Sequence, residues 1–160
     1  MKLHIAAIGR LRTGAQKQLI DDYLDRLKDS GRPHAISAIT LHELETKPAA
    51  TPALTIEQEG TRLRAALPSN GILVSLDEHG KTLSSTEFAE KLGRWRDQGA
   101  PAVSFIIGGA EGLSPQIRNQ SDFTLSLGPM TWPHMLARLL LAEQLYRATT
   151  IWSGHPYHKA

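Results

Sequence analysis

Five short apolar runs, separated by stretches with helical periodicity, constrain this chain more than any other feature of its sequence. Residues 3–8, 35–41, 72–76 and 103–107 are aliphatic and too short for buried helices, and Phe123, Leu125 and Leu127 alternate with Thr124 and Ser126 as a fifth strand. Between them apolar residues return at helical spacing: Leu19, Ile20, Tyr23, Leu24 and Leu27, then Ile56, Leu63 and Leu67, then Phe88, Leu92 and Trp95. Thr55 with Gln58 and Ser84 with Glu87 have the spacing of capping boxes, and Gly31, residues 68–71 and Gly99 supply the stops. A short helix is predicted over residues 114–119 and a long last one from near Pro133, with residues 44–52 a mobile loop and 77–81 a turn. Parallel neighbours need a crossover helix, so this alternation predicts an α/β fold, a mostly parallel sheet with flanking helices. No internal repeat or linker divides it, and residues 1–160 read as a single domain.

Composition narrows the function classes. The chain has no cysteine, which removes disulfides, thiolate metal sites and cysteine nucleophiles together. Its longest apolar stretches, residues 139–142 and 103–107, fall far short of the roughly 20 residues that span a bilayer. Residues 1–8 are too short for a signal peptide, so a cytoplasmic location is expected. A net charge of +2 permits a polyanionic partner without demanding one.

In open α/β sheets ligands bind beyond the carboxyl ends of the strands, which points to residues 76–78, 108–112 and 128–133. Gly108, Gly109 and Gly112 form either simply a tight strand-to-helix turn or a loop in which missing Cβ atoms let backbone approach a ligand, and the spacing matches neither the dinucleotide nor the Walker phosphate pattern. Residues 127–134 place two prolines, Met130 and Trp132 in one connection, an apolar loop that needs covering. It is either a defined loop that feeds the last helix through Pro133 or a site for a flat ligand such as adenine, whose edge backbone amides would read while Leu76 and Met130 sandwich its face.

The last helix is apolar nearly all round through Leu136, Leu139, Leu140, Leu141, Ala142 and Leu145, so it is either central or packed on a second subunit, and a homodimer is expected. Arg138, Glu143 and Arg147 on it read either as solvated ion pairs or as anion-recognising groups. The tail, residues 154–160, gathers His155, Tyr157, His158 and Lys159; Pro156 and the lack of a third ligand argue against a metal site there. The tail is then either frayed or an ordered cover over a nucleic-acid site. His4, His34, His42 and His79 read as structural.

Taken together, Lys2-Leu3 running into Ile8-Gly9, Leu76-Asp77 with Gly80-Lys81, Ile106 to Ser114, Met130-Thr131-Trp132-Pro133-His134, Glu143 to Ala148, and the ending His155-Pro156-Tyr157-His158-Lys159 resemble the RlmH family across the whole chain. The resemblance implies a SPOUT fold with a C-terminal trefoil knot, a homodimer, and transfer of a methyl group from S-adenosylmethionine to N3 of pseudouridine 1915 in helix 69 of 23S ribosomal RNA. It implies cofactor contacts at Leu76, Gly108, Leu127, Gly128, Pro129, Met130, Thr131 and Trp132. Arg147, Tyr157, His158 and Lys159 are the implied catalytic or RNA-facing positions, with no metal. The competing readings are a nucleotide-binding oxidoreductase sharing the glycine loop and a non-catalytic ribosome-binding module.

Overall fold

Strand β1 (Lys2–Ile8) sits inside the sheet with alternate residues committed to opposite faces, and this fixes the layering. Leu3, Ile5 and Ala7 join a core with Leu27, Leu92, Leu141 and Leu145, whereas Ala6 and Ile8 join Leu63, Ile106, Leu113 and Ile117 on the other side. In the structure, a computed structural model that describes residues 1–159, helices α1 (Ala15–Gly31), α3 (Ser85–Asp97) and α5 (His134–Trp152) therefore cover one face. Helices α2 (Pro52–Ala65) and α4 (Pro115–Gln120) cover the other. Ala160, the end of the tail, lies outside the described residues.

The sheet has the order β2-β1-β4-β3-β5, with every neighbouring pair parallel. Its other strands are β2 (Ala38–Leu44), β3 (Ile72–Thr82), β4 (Ala102–Ile107) and β5 (Phe123–Ser126). All six β4 residues are buried, the expected state of an inner parallel strand covered on both faces. Helix α5 packs against α1 and α3 and across β1 and β4, which buries Leu141, Ala142 and Leu145 within the protomer and leaves Leu136, Leu139 and Leu140 partly exposed.

Local chemistry explains where the elements depart from the sequence prediction. Strand β2 begins three residues late because Arg32–His34 form a 3-10 turn with Pro33 near its start, and Ala35 follows at φ 60°. Helix α2 begins at Pro52, not at the Thr55 capping box. Thr51 caps it, accepting from Leu54 N at 3.2 Å, and proline's fixed φ suits the first turn. The hydroxyl of Thr55 instead accepts from Ala49 N at 2.8 Å. The Ser84–Glu87 capping box is present with both of its bonds.

The turn expected at residues 77–81 is a continuation of β3. Leu76 and Lys81 both align with Leu125 of β5, so the residues between them bulge out before pairing resumes. Gly80 permits this, since a Cβ there would stand 2.7 Å from the Thr124 carbonyl oxygen.

Candidate active site

The carboxyl ends of β4 and β5 flank the β3 bulge that follows Leu76, and together they bring Leu76, Gly108 and residues 127–132 to one edge of the molecule. The β3 bulge is tied to the loop that follows β5. Ser126 Oγ accepts from Gly128 N and donates to the Glu78 carbonyl, both at 3.1 Å, while Thr131 Oγ1 reaches Glu78 Oε2 at 3.3 Å. Asp77 in the β3 bulge accepts from His79 N at 2.9 Å and from Arg118 Nη1 at 2.9 Å, which joins the bulge to α4. Burial works against this carboxylate, but the His79 backbone and the Arg118 guanidinium hold its pKa below the usual range.

The glycine loop closes on itself. Gly109 and Gly112 form an isolated bridge, and Gly112 N donates to Gly109 O at 3.1 Å. A Cβ on buried Gly108 would fall 2.3 Å from the Gly112 carbonyl oxygen, so the primary reason for glycine here is room for the loop's own backbone. In the 127–133 loop, Met130 is 68% exposed and Trp132 39%, and nothing lies within 4 Å of a Cβ on Gly128, whose φ is +113°. The apolar side chains that needed covering stand uncovered by the chain itself.

Arg138 is neither a surface ion pair nor an anion-recognising group. It is fully buried, and its guanidinium donates to Glu43 Oε1 at 2.6 Å, Ile8 O at 3.0 Å and Gly9 O at 2.9 Å. It thereby fastens the start of α5 to the carboxyl end of β1. Removing one partner of such a buried pair typically costs about 3–5 kcal/mol.

The tail is docked, not frayed. His155 N donates to Thr150 O at 2.9 Å, and the Tyr157 hydroxyl donates to Glu143 Oε1 at 3.0 Å, 3.3 Å from the Tyr23 hydroxyl. Arg147 holds the same Glu143 oxygen through Nε at 3.0 Å and through Nη2. Its guanidinium carbon sits 4.8 Å from the Tyr157 ring centroid, and its Nη1 faces His158 Nδ1 at 3.4 Å. Tyr146 meets the Tyr157 ring edge-on at 4.9 Å. Burial, then the bonds to Tyr23 and Glu143, push the Tyr157 phenol far up, so it stays protonated at any ordinary pH. Lys159 is exposed.

The structure thus groups the implied cofactor residues at one edge and Arg147, Tyr157 and His158 in a second cluster. Arg147 lies 13 residues beyond His134, which places it about 20 Å along α5 from the loop that precedes the helix. Tyr23, Glu43, Glu59 and the role of Glu143 were not predicted. For Glu59 a signal was present: it falls three residues after Ile56 and four before Leu63, a carboxylate on the apolar face of a helix.

Residues 1–158 match the family described as "Predicted SPOUT methyltransferase", which sets the class of this five-stranded parallel sheet. A probable methylase family protein from Haemophilus influenzae Rd KW20 shares the fold, with TM-score 0.51 at 12% identity over 99% of this chain and 70% of that one. Among proteins similar in sequence are two with the name ribosomal RNA large subunit methyltransferase H. One, from Ruegeria sp. (strain TM1040), is 49% identical over 99% of both chains, and one, from Bradyrhizobium diazoefficiens, is 44% identical over 100% of both. The chain belongs to this RlmH family of SPOUT methyltransferases.

Proposed function

We propose that this protein transfers the methyl group of S-adenosylmethionine to large-subunit ribosomal RNA, at N3 of pseudouridine 1915 in helix 69 of 23S RNA, as a cytoplasmic homodimer acting on the assembled ribosome or large subunit. The observation that carries the reading is the convergence of Leu76, Gly108 and residues 127–132 about the ends of β4 and β5 and the β3 bulge between them, in a chain whose full-length relatives are named for ribosomal RNA methylation. The residues present fit the cofactor: apolar Leu76 and Met130 suit the faces of an adenine, the backbone of residues 127–132 its polar edge, and a buried carboxylate oxygen without a partner stands beside the glycine loop.

When bound, the cofactor supplies an electrophilic methyl group on a sulfonium, which needs no metal. The chain's own task is to orient the acceptor base and relieve its imide of a proton. Tyr157, held neutral, offers a stacking face and a hydrogen bond rather than a base. Arg147 and exposed Lys159 supply positive charge for the imide oxygens and neighbouring phosphates, and His158, beside Arg147, accepts or relays the proton.

Because the tail cluster lies far down α5 from the cofactor loops of its own chain, the reading requires a second protomer to bring the two together. Leu136 and Leu140, partly exposed on α5 in line with Glu143 and Arg147, provide the surface for such a pairing. The knot expected of the fold belongs to the same reading.

Incorporation of labelled methyl from S-adenosylmethionine into ribosomes that lack the modification tests the proposal. Transfer to that one nucleotide supports it, and binding of the cofactor without transfer would leave a non-catalytic ribosome-binding module.

A further inference from the structure

Glu59 is a carboxylate in an unusual position. The residue is 7% exposed, Thr46 Oγ1 donates to its Oε1 at 2.8 Å, and its Oε2 has no hydrogen-bond partner among the described residues. The carboxylate presses against the glycine loop, since a Cβ on Gly109 would lie 2.8 Å from Oε2 and 3.0 Å from Oε1. Gly60 makes this approach possible: a Cβ there would meet Ile117 Cγ1 at 2.9 Å and Ser114 Oγ at 3.0 Å, so α2 sits hard against the segment that follows the loop. No lysine or arginine among the described residues pairs with Glu59, because Arg138 is committed to Glu43. His134 feels its charge, but burial and then Arg138 lower the His134 pKa, with Glu59 only partly opposing them.

A buried carboxylate oxygen without donors is costly unless a cation arrives to meet it. We propose that Glu59 is the counter-group for the α-ammonium of the bound cofactor's amino-acid end. The inference rests on the reading of the Gly108 loop as a cofactor loop. S-adenosylmethionine carries two cations, a sulfonium and an ammonium. The sulfonium must present its methyl to the RNA base at an open mouth, and a carboxylate beside it would compete as a methyl acceptor. The ammonium takes no part in transfer, so it is the group that suits a buried anion behind the glycine loop. Glu59 then positions the cofactor without touching the reacting atoms.

The test uses full-length Glu59→Gln, which keeps the shape and removes the charge, with calorimetric titration of three ligands. S-adenosylmethionine and S-adenosylhomocysteine both carry the ammonium, only the first carries the sulfonium, and 5′-methylthioadenosine has neither. Loss of a charged hydrogen bond predicts that affinity for the first two falls at least about tenfold by the same factor, while methylthioadenosine binds as before. Glu59→Asp, which keeps the charge but withdraws it by one methylene, should show a smaller loss for the same two ligands and covers the case of an unfolded Gln variant. Equal loss for all three ligands makes Glu59 a mere prop of the loop, and loss for S-adenosylmethionine alone assigns it to the sulfonium. Either result, or no loss at all, overturns the proposal. Failure of the unaltered protein to bind S-adenosylmethionine would overturn the cofactor reading itself, and this inference with it.

Discussion

Substitution of Gly108 by alanine is the sharpest single perturbation of the edge proposed to hold the cofactor. The added Cβ would lie 2.3 Å from the Gly112 carbonyl oxygen and 2.6 Å from its carbon, where ordinary contact begins near 3.4 Å. The loop must therefore open by about 1 Å, and overpacking of this kind costs about 1–3 kcal/mol. In a chain of this length each kcal/mol moves the melting temperature by roughly 2–4 °C, so a fall of roughly 2–12 °C is expected. Displacing the backbone beside the cofactor should also weaken binding at least tenfold, about 1.4 kcal/mol. Gly99→Ala supplies the control. It forces a side chain into φ +80° after α3 with nothing within 4 Å, costing about 1–2 kcal/mol by backbone strain alone, far from the loops. Thermal denaturation and titration with S-adenosylmethionine on both variants separate the effects. A folded Gly108→Ala protein that binds the cofactor as tightly as the parent would refute the reasoning.

Deleting residues 157–160 should abolish methyl transfer and leave cofactor affinity unchanged, at a stability loss of about 1–2 kcal/mol from the lost Tyr157 bond and ring contact; full transfer by the truncated protein would return the tail to a passive role. Leu140→Glu, on the outward side of α5, should give monomers by analytical ultracentrifugation and no transfer, whereas Leu141 is fully buried within its own protomer and its substitution should unfold the chain. Stability should fall as pH drops below about 6.5, because burial lowers the pKa of His4, His42 and His134, and between the folded and unfolded values the unfolded chain binds more protons. The His4→Gln, His42→Gln double variant should flatten that slope in urea melts at pH 7 and pH 5; an unchanged slope would place the dependence elsewhere.

The layers of this fold were legible wherever the deciding interaction is local. Ser84 and Glu87 are three residues apart and form the capping box their spacing announces. The apolar run of β4 becomes the strand buried on both faces. Local signals misled where a neighbour outbid them: Thr51 with Pro52 claims the start of α2 ahead of Thr55, and pairing with β5 turns the expected turn after Leu76 into a bulge. Long-range pairs were out of reach. Arg138 finds Glu43 95 positions away, and Tyr157 finds Tyr23 134 positions away, separations at which no periodicity carries information. The loops proposed for the cofactor were singled out because strand ends in α/β sheets are where ligands bind, and the tail because its residue types are dense; their separation along α5 needed coordinates.

The central claim is methyl transfer to a ribosomal base, and mass spectrometry of helix 69 tests it most directly. Ribosomes lacking the modification would be incubated with the protein and isotopically labelled S-adenosylmethionine, and the helix 69 fragment then digested and sequenced. The account predicts a single labelled methyl on N3 of pseudouridine 1915, present with chelator in the buffer and absent with the tail-deleted protein. Label on another nucleotide, or none on RNA from a protein that binds the cofactor, would contradict it.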